Sequence, residues 1–466
     1  MNRKRKTFVQ LVGILLVGFM CFQFISCQPQ KRTKIRFWHT YTGSQAVAFQ
    51  NLVAEYNRTE GKDRGIEVFA YYKGTIEQLS DLLKQEKKEK LPNIIEVTDE
   101  SAYLAYLNSR LANAKDYLSK NELSGYVPGL LDKGCFTANG GIYIFPIQAT
   151  VDVLYLNRSI FNDLQDAYPE IQLEDLQTWQ GLYDVAQQYY QWSNGSSFIT
   201  IEDLTGYIIA VADQYAAPIV QKGNKGVQIV LNQEVLRNIW QFFYSGTIRG
   251  YISISENSAN HQMSSGQVVC YLASTTSAMR VPSSYRNQDG IEKALSIHVN
   301  PYPSNTLDRV VVPSAVSGVA VVDIDEEMNR EAYHFLHWIA QNERVYQMTA
   351  EHVSLPVYQK VLESSTVYEK ILEHVSSRNP SVFATYAEMY TRVNALEMHT
   401  IPVFYGSERF AEEISRSLLQ ATREGRTLVD RLVAEGTAYE EALLAAEQDI
   451  YFLNWMETLE TIRNAY

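Results

Sequence analysis

Residues 141–157 read GIYIFPIQATVDVLYLN. Two short apolar runs, Ile142–Pro146 and Val151–Leu156, flank the polar patch Gln148-Ala149-Thr150. Both runs are rich in β-branched, aromatic and aliphatic residues, so each reads as a buried strand. A strand that leaves one sheet and runs on into another carries polar groups where the sheets part. That point is a crevice, and convergent polar side chains in a crevice are the usual setting for a ligand. The bland alternative is a single core strand with a polar bulge, and the rest of the chain has to decide between them.

Outward from this stretch the chain alternates. Lys34–Trp38 has strand character and ends in His39-Thr-Tyr-Thr-Gly-Ser44, before an amphipathic helix over Ala46–Tyr56. A second strand, Gly65–Tyr72, turns through Lys73-Gly74-Thr75 into a helix over Ile76–Glu89. A third, Pro92–Val97, leads through Thr98-Asp99-Glu100-Ser101 into a further helix. This order predicts an α/β fold with a parallel sheet covered on both faces. Ligands of such sheets sit beyond the carboxyl ends of the strands. By that rule Trp38–Ser44, Tyr72–Thr75, Thr98–Ser101 and Gln148–Asp152 converge.

Beyond Asn157, helices are expected over Trp179–Trp192, Leu204–Gln214 and Glu234–Tyr244. An apolar strand over Gly266–Ala273 ends in Ser274-Thr-Thr-Ser277. That hydroxyl row reads as a second side of the crevice or as a helix cap. Leu295–Pro303 reads as a strand. Val310–Val322 is β-rich but punctuated by Pro313 and Gly318, which suggests a second passage between bodies. Thr349–Pro356 is expected to be a third. Helices dominate from Val357, with Leu418–Arg431 and Tyr439–Leu453 strongly periodic. Three passages between two α/β bodies make both discontinuous in sequence.

Residues 1–27 read as a targeting segment. Arg3-Lys4-Arg5-Lys6 precede an almost unbroken apolar run from Leu11 to Ile25, closed by Ser26-Cys27. The run is short for a membrane span, which favours a cleaved signal. Ser26-Cys27 resembles a bacterial lipoprotein cleavage site, and that resemblance makes Cys27 the lipidated N-terminus and tethers the protein to a membrane facing the periplasm or exterior. A retained N-terminal anchor is the alternative.

The whole chain carries a net charge of −12. The leader holds four of the 41 basic residues and no acidic one, so the remainder sets 37 basic against 53 acidic residues, a balance of −16. That excess opposes general binding to nucleic acid or anionic lipid. Cys135 and Cys270 are the two cysteines beyond the leader, too few for a disulfide framework. The length allows roughly two or three domains.

The ordered set Phe37-Trp38-His39, Tyr72-Lys73-Gly74, Pro92-Asn-Ile-Ile, Pro146…Leu154-Tyr155-x-Asn157, Thr178-Trp179, the Gly266 strand and Leu355-Pro356 resembles the family 1 extracellular solute-binding proteins of ABC importers. It is most similar to their glycerol-3-phosphate and glycerophosphodiester-binding type. The resemblance implies a two-lobe periplasmic-binding-protein fold of the Venus-flytrap kind with about three crossovers. Lobe 1 would comprise 33–149 and 313–353, and lobe 2 would comprise 150–312 and 354–466. It further implies a monomeric receptor, without cofactor or catalysis, that traps a small solute between its lobes and passes it to permease subunits in the membrane.

Carried over position by position, the resemblance makes Asp99 the equivalent of a ligand-binding glutamate, Thr150 of a binding serine, and Ser274 or Thr275 of another. The sequence departs from the family at Ile76 and Ser354, where tyrosines are expected. Near Phe404-Tyr405-Gly406 only Arg409 stands close to the place of a phosphate-gripping arginine. These departures weigh against free glycerol phosphate and leave a bulkier glycerophosphodiester, such as glycerophosphocholine, or a sugar.

On chemistry alone, Asp99 and Asp152 would accept hydrogen bonds from hydroxyls. Trp38, Tyr72 and Tyr405 could lie against a sugar face or an organic cation, at about 0.5–2 kcal/mol per contact. His39 is a candidate donor in the cleft or else a structural histidine, Trp38 reads more simply as core packing at a strand end, and Gly318 marks the second crossing. Lys73 and Arg280 read more simply as solvated charges. Glu331, His334 and His337 share a helix face, but their aromatic context is that of a packed helix rather than a metal site. No Gly-rich phosphate loop, nucleophile elbow or Cys-x-x-Cys is present in the sequence. A surface-interaction lipoprotein that kept the fold but lost transport is the rival reading.

Overall fold

The computed structural model describes residues 32–138, 140–223, 226–305, 310–376, 379–391 and 396–466. The proposed signal segment, with Cys27, lies outside the described residues.

Three strands begin the fold: β1 (Thr33–His39), β2 (Ile66–Tyr72) and β3 (Ile94–Val97). β1 runs parallel to β2 along its whole length, from Thr33 opposite Ile66 to His39 opposite Tyr72, and parallel to β3 on its other edge. Ile35, Phe37 and His39 alternate into the interior while their neighbours face outward, the period of two that a half-covered strand imposes. The helix Gly43–Arg58 buries Phe49, Leu52, Val53 and Tyr56 against this sheet. The helix Glu326–Gln341 closes the same core, with Phe335 edge-on to both Phe37 and Tyr56.

β4 (Phe145–Asn157) is buried at all 13 positions. Further strands follow: β5 (Ile199–Ile201), β6 (Ile252–Ser253), β7 (Cys270–Ser274), β8 (Ile297–Asn300), β9 (Val310–Val321) and β10 (Leu396–His399). The first half of β4 pairs with β9, from Phe145 opposite Val319 to Val151 opposite Ser314. From Asp152 onward it pairs with β7 instead, and its far edge takes β8. β7 continues through β5 to β6. β9 behaves likewise: its end lies against β3 and its beginning against β10. β4 and β9 therefore belong to both bodies, as the opening stretch predicts.

Several expected boundaries move. The first run does not enter the sheet until Phe145; the Ile142 amide instead donates to Asn113 Oδ1 at 2.9 Å. The strand expected over Gly266–Ala273 begins only at Cys270, because Gly266 takes a left-handed turn with φ +76°. In the third passage only Leu355 pairs with the crossing strand, bonding Ala149 in both directions, while Thr349 lies in the helix Tyr346–His352. The second passage holds as one strand despite Pro313 and Gly318. The ladder shifts register between Ser317 and Gly318, and a Cβ at 318 would stand 2.3 Å from Ile144 Cγ2. Gly318 thus serves close packing.

The helix Ser407–Ala434 runs 28 residues, and the helices Tyr439–Ala446 and Asp449–Arg463 fold back against it. Among the described residues no helix is long and apolar enough to cross a membrane.

Candidate functional site

Where β4 exchanges partners, a cavity of about 300 Å³ opens. Asp152 contributes from β4, and Ser274 from the end of β7, directly opposite it in register. Pro313, Ser314 and Ala315 contribute from β9. Glu202, Asp203, Thr205 and Gly206 arrive from the start of the helix Leu204–Gln214, and His399 and Ile401 from the end of β10. The helix is held at its start by Asp203, whose Oδ1 accepts from the Gly206 amide at 2.8 Å.

The lining is acidic. Asp152 is buried to 8% exposure and has no hydrogen-bond partner among the described residues. Burial pushes its carboxyl well above the usual carboxylate range, and the nearby Asp203 and Glu202 add to the shift. Glu202 Oε2 accepts from Ser277 Oγ at 3.0 Å, and Arg280 donates to that same hydroxyl at 3.3 Å. His399 Nδ1 lies 2.8 Å from Asp213 Oδ2. Beyond His399 a wider cavity of about 850 Å³ opens between Gly129 and Asp132 on one side and Ala216 and Lys222 on the other. A third, of about 530 Å³, lies between Trp179, Trp240 and Phe452 and shares no lining residue with either.

Of the residues singled out from the sequence, this cavity gathers Asp152 and Ser274. His39 is buried in the lobe interior rather than at a cleft: its Nδ1 accepts from the Tyr41 amide at 3.1 Å, and its ring stacks on Tyr41. Burial lowers its imidazole to about 4, which leaves it neutral. Trp38 is half-buried under Lys73, whose Nζ stands 4.9 Å from the ring centre, so that charge is not simply solvated. Tyr72 and Tyr405 are exposed, at 57% and 68%.

Asp99 opens the helix Asp99–Leu107 and pairs with Lys133 at 3.1 Å, away from the cavity. Thr150 is buried opposite Ala315, and Thr275 is fully buried with its hydroxyl unpartnered. Arg409 turns to its own helix, donating to Glu413 at 2.8 Å. On the other helix, Glu331 is held by Arg64 through two bonds of 2.7 and 2.6 Å, and His337 meets Tyr126.

The residues that sequence reading missed are Glu202, Asp203, Thr205, Ser314 and His399. A strand, an acidic cap and a helix over 199–206 repeat the pattern used elsewhere in the chain, but the strand is only three residues long.

Two α/β bodies joined by shared strands, with a polar cavity at the exchange point, define a two-lobe periplasmic-binding-protein fold. Residues 51–372 match the family of bacterial extracellular solute-binding proteins, and the chain belongs to that family. The sn-glycerol-3-phosphate-binding periplasmic protein UgpB of Rhizobium meliloti (strain 1021) is 26% identical over 140 residues, a match spanning 29% of this chain and 32% of that relative. The fold is shared with the cyclic α-maltosyl-1,6-maltose binding protein of Arthrobacter globiformis (TM-score 0.66, 16% identity, 93% of this chain and 100% of that one). It is also shared with UgpB of Mycobacterium tuberculosis, solved in complex with glycerophosphocholine (TM-score 0.61, 15% identity, 93% and 99%).

Proposed function

We propose that the protein is the solute receptor of an ABC-type importer. It captures a small organic solute between its lobes and delivers it to permease subunits. The observation that carries this reading is the cavity at the β4 exchange, walled by polar groups from β4, β7, β9 and the helix Leu204–Gln214. Lobe 1 is assigned to 33–149 and 313–353 and lobe 2 to 150–312 and 354–466. A solute touching both stabilises the closed arrangement, because only there are both half-sites engaged. The receptor acts as a monomer tethered through lipid on Cys27.

The cavity's volume suits a compact ligand. Among the described residues its lining offers carboxylates and hydroxyls but no Lys or Arg, which favours a neutral sugar, and a singly charged glycerophosphodiester over doubly charged glycerol phosphate. Thermal-shift measurements with maltose, glycerol 3-phosphate and glycerophosphocholine test this. A bound solute raises stability as RT ln(1 + [L]/Kd), so the melting temperature should climb with concentration of the sugar or the phosphodiester. Stabilisation by none would favour a surface-interaction protein with a silent cleft.

A further inference from the structure

The acidic end of the cavity implies more than a site for hydroxyls. Asp152 is more than nine-tenths buried, lines the cavity and has no hydrogen-bond partner among the described residues. An isolated buried carboxyl is costly unless something completes it. Glu202 and Asp203 stand on the facing wall. The positive start of the helix Leu204–Gln214 would favour an anion, but the Asp203 carboxylate already occupies it. A metal ion is not the complement: among the described residues no three His, Cys, Asp or Glu side chains are placed to hold one. Among the described residues no Trp, Tyr or Phe lines the cavity, so it lacks the aromatic walls that suit a quaternary ammonium. Carboxylates and hydroxyls are acceptors for N–H donors.

We propose that this end of the groove receives the N–H-bearing cationic end of an organic solute, a primary ammonium or guanidinium group, against Asp152, Glu202 and Asp203. The proposal rests on the receptor reading above and names the charge class of its solute. Ser274, Ser314 and Thr205 remain for the solute's hydroxyls.

The reading has a proton linkage. Burial, with Asp203 and Glu202, favours the protonated Asp152 in the empty protein; an incoming cation favours the carboxylate, so the carboxyl proton leaves to solvent as the ammonium arrives. Other groups face Asp152. Tyr155 shares its strand, and Tyr302 and Glu388 line a small space on its other side. His399 stands across the cavity, tied to Asp213. Arg280 reaches Glu202 only through Ser277.

Calorimetry on the wild-type chain and Asp152→Asn tests the idea with two matched pairs, glycerophosphoethanolamine against glycerophosphocholine and glucosamine against glucose. In at least one pair the aminated member should bind about tenfold tighter or more. It should also release up to about one proton, read from buffers of different ionisation heat. Asp152→Asn, shown folded by its near-UV spectrum, should lose both the preference and the release. Glu202→Gln should weaken the preference, as a check on a variant that leaves Asp152 in place. Equal affinity within both pairs, or a preference that survives in Asp152→Asn, overturns the proposal while the receptor reading stands. Binding by none of the four overturns the proposal, and if maltose and glycerol 3-phosphate also fail to stabilise the chain the receptor reading falls with it.

Discussion

Gln148 donates from Nε2 to Ser354 Oγ at 2.9 Å, a buried bond between residues 206 positions apart. It ties the crossing strand β4 to the chain's last passage between the lobes. Gln148 Oε1 also accepts from Gln45 at 3.1 Å, so one side chain links three segments. Gln148→Ala should lower unfolding free energy by about 1–3 kcal/mol, since it removes two bonds at a buried position and leaves the Ser354 hydroxyl only its 3.4 Å bond to the Thr349 carbonyl. Urea denaturation measures this, and a loss within error would show that the tie is dispensable.

The Asp152 carboxyl gives stability a definite slope with pH. Its folded-state value lies well above its ordinary 3.8, so the folded chain holds this proton more tightly than the unfolded one. That contribution is complete below 3.8 and is lost as pH rises toward the folded value. Asp152→Asn should therefore gain on the wild type as pH rises above 4, by about 1.4 kcal/mol for each unit through which the wild type carries the extra proton. A pH-independent difference in denaturation midpoint would contradict the burial argument.

Thr275 separates a packing role from a binding one. It is fully buried and its Oγ1 finds no partner. Thr275→Val keeps the shape and deletes the stranded hydroxyl, so the melting temperature should rise, with a gain of about 1–2 kcal/mol. Solute affinity should not change. A loss of affinity would restore Thr275 to the site and extend the groove one residue past the end of β7.

Gly425 reverses the usual helix rule. In an ordinary helix interior Gly→Ala gains about 1 kcal/mol. Here a Cβ would stand 2.3 Å from Tyr244 Oη, and that hydroxyl is buried and donates to the Ala446 carbonyl at 2.8 Å. Gly425→Ala should destabilise the chain by about 1–3 kcal/mol, read by chemical denaturation.

The architecture was largely legible because apolar runs and turn residues report on backbone periodicity. β1, β2 and β3 fall where alternation put them, and the double life of β4 follows from a polar patch inside a strand-forming run. The site was less legible, since a residue at a strand tip can turn either way. His39 read equally as a cleft donor or a structural histidine, and Tyr41 and Phe49, two and ten positions later, enclose it. Thr40 bonds Glu96 through both its amide and its hydroxyl, drawing the β1 tip onto β3. In the other direction, the helix Leu204–Gln214 was expected, but Glu202 and Asp203 went unread because β5, only three residues long, gave no strand whose tip would point to them. Residue identity alone does not separate Asp99, which pairs with Lys133, from Asp152, which pairs with nothing described.

The late position of β9 in the chain has a kinetic consequence. The edge of β3 at residue 94 stays uncovered until residues 318–321 have been made, so the first lobe cannot finish its sheet while the second is still emerging. Such long-range closure slows folding. A polypeptide that stays incomplete until most of it exists is suited to being threaded across a membrane before it sets, and its assembly belongs on the far side of that barrier.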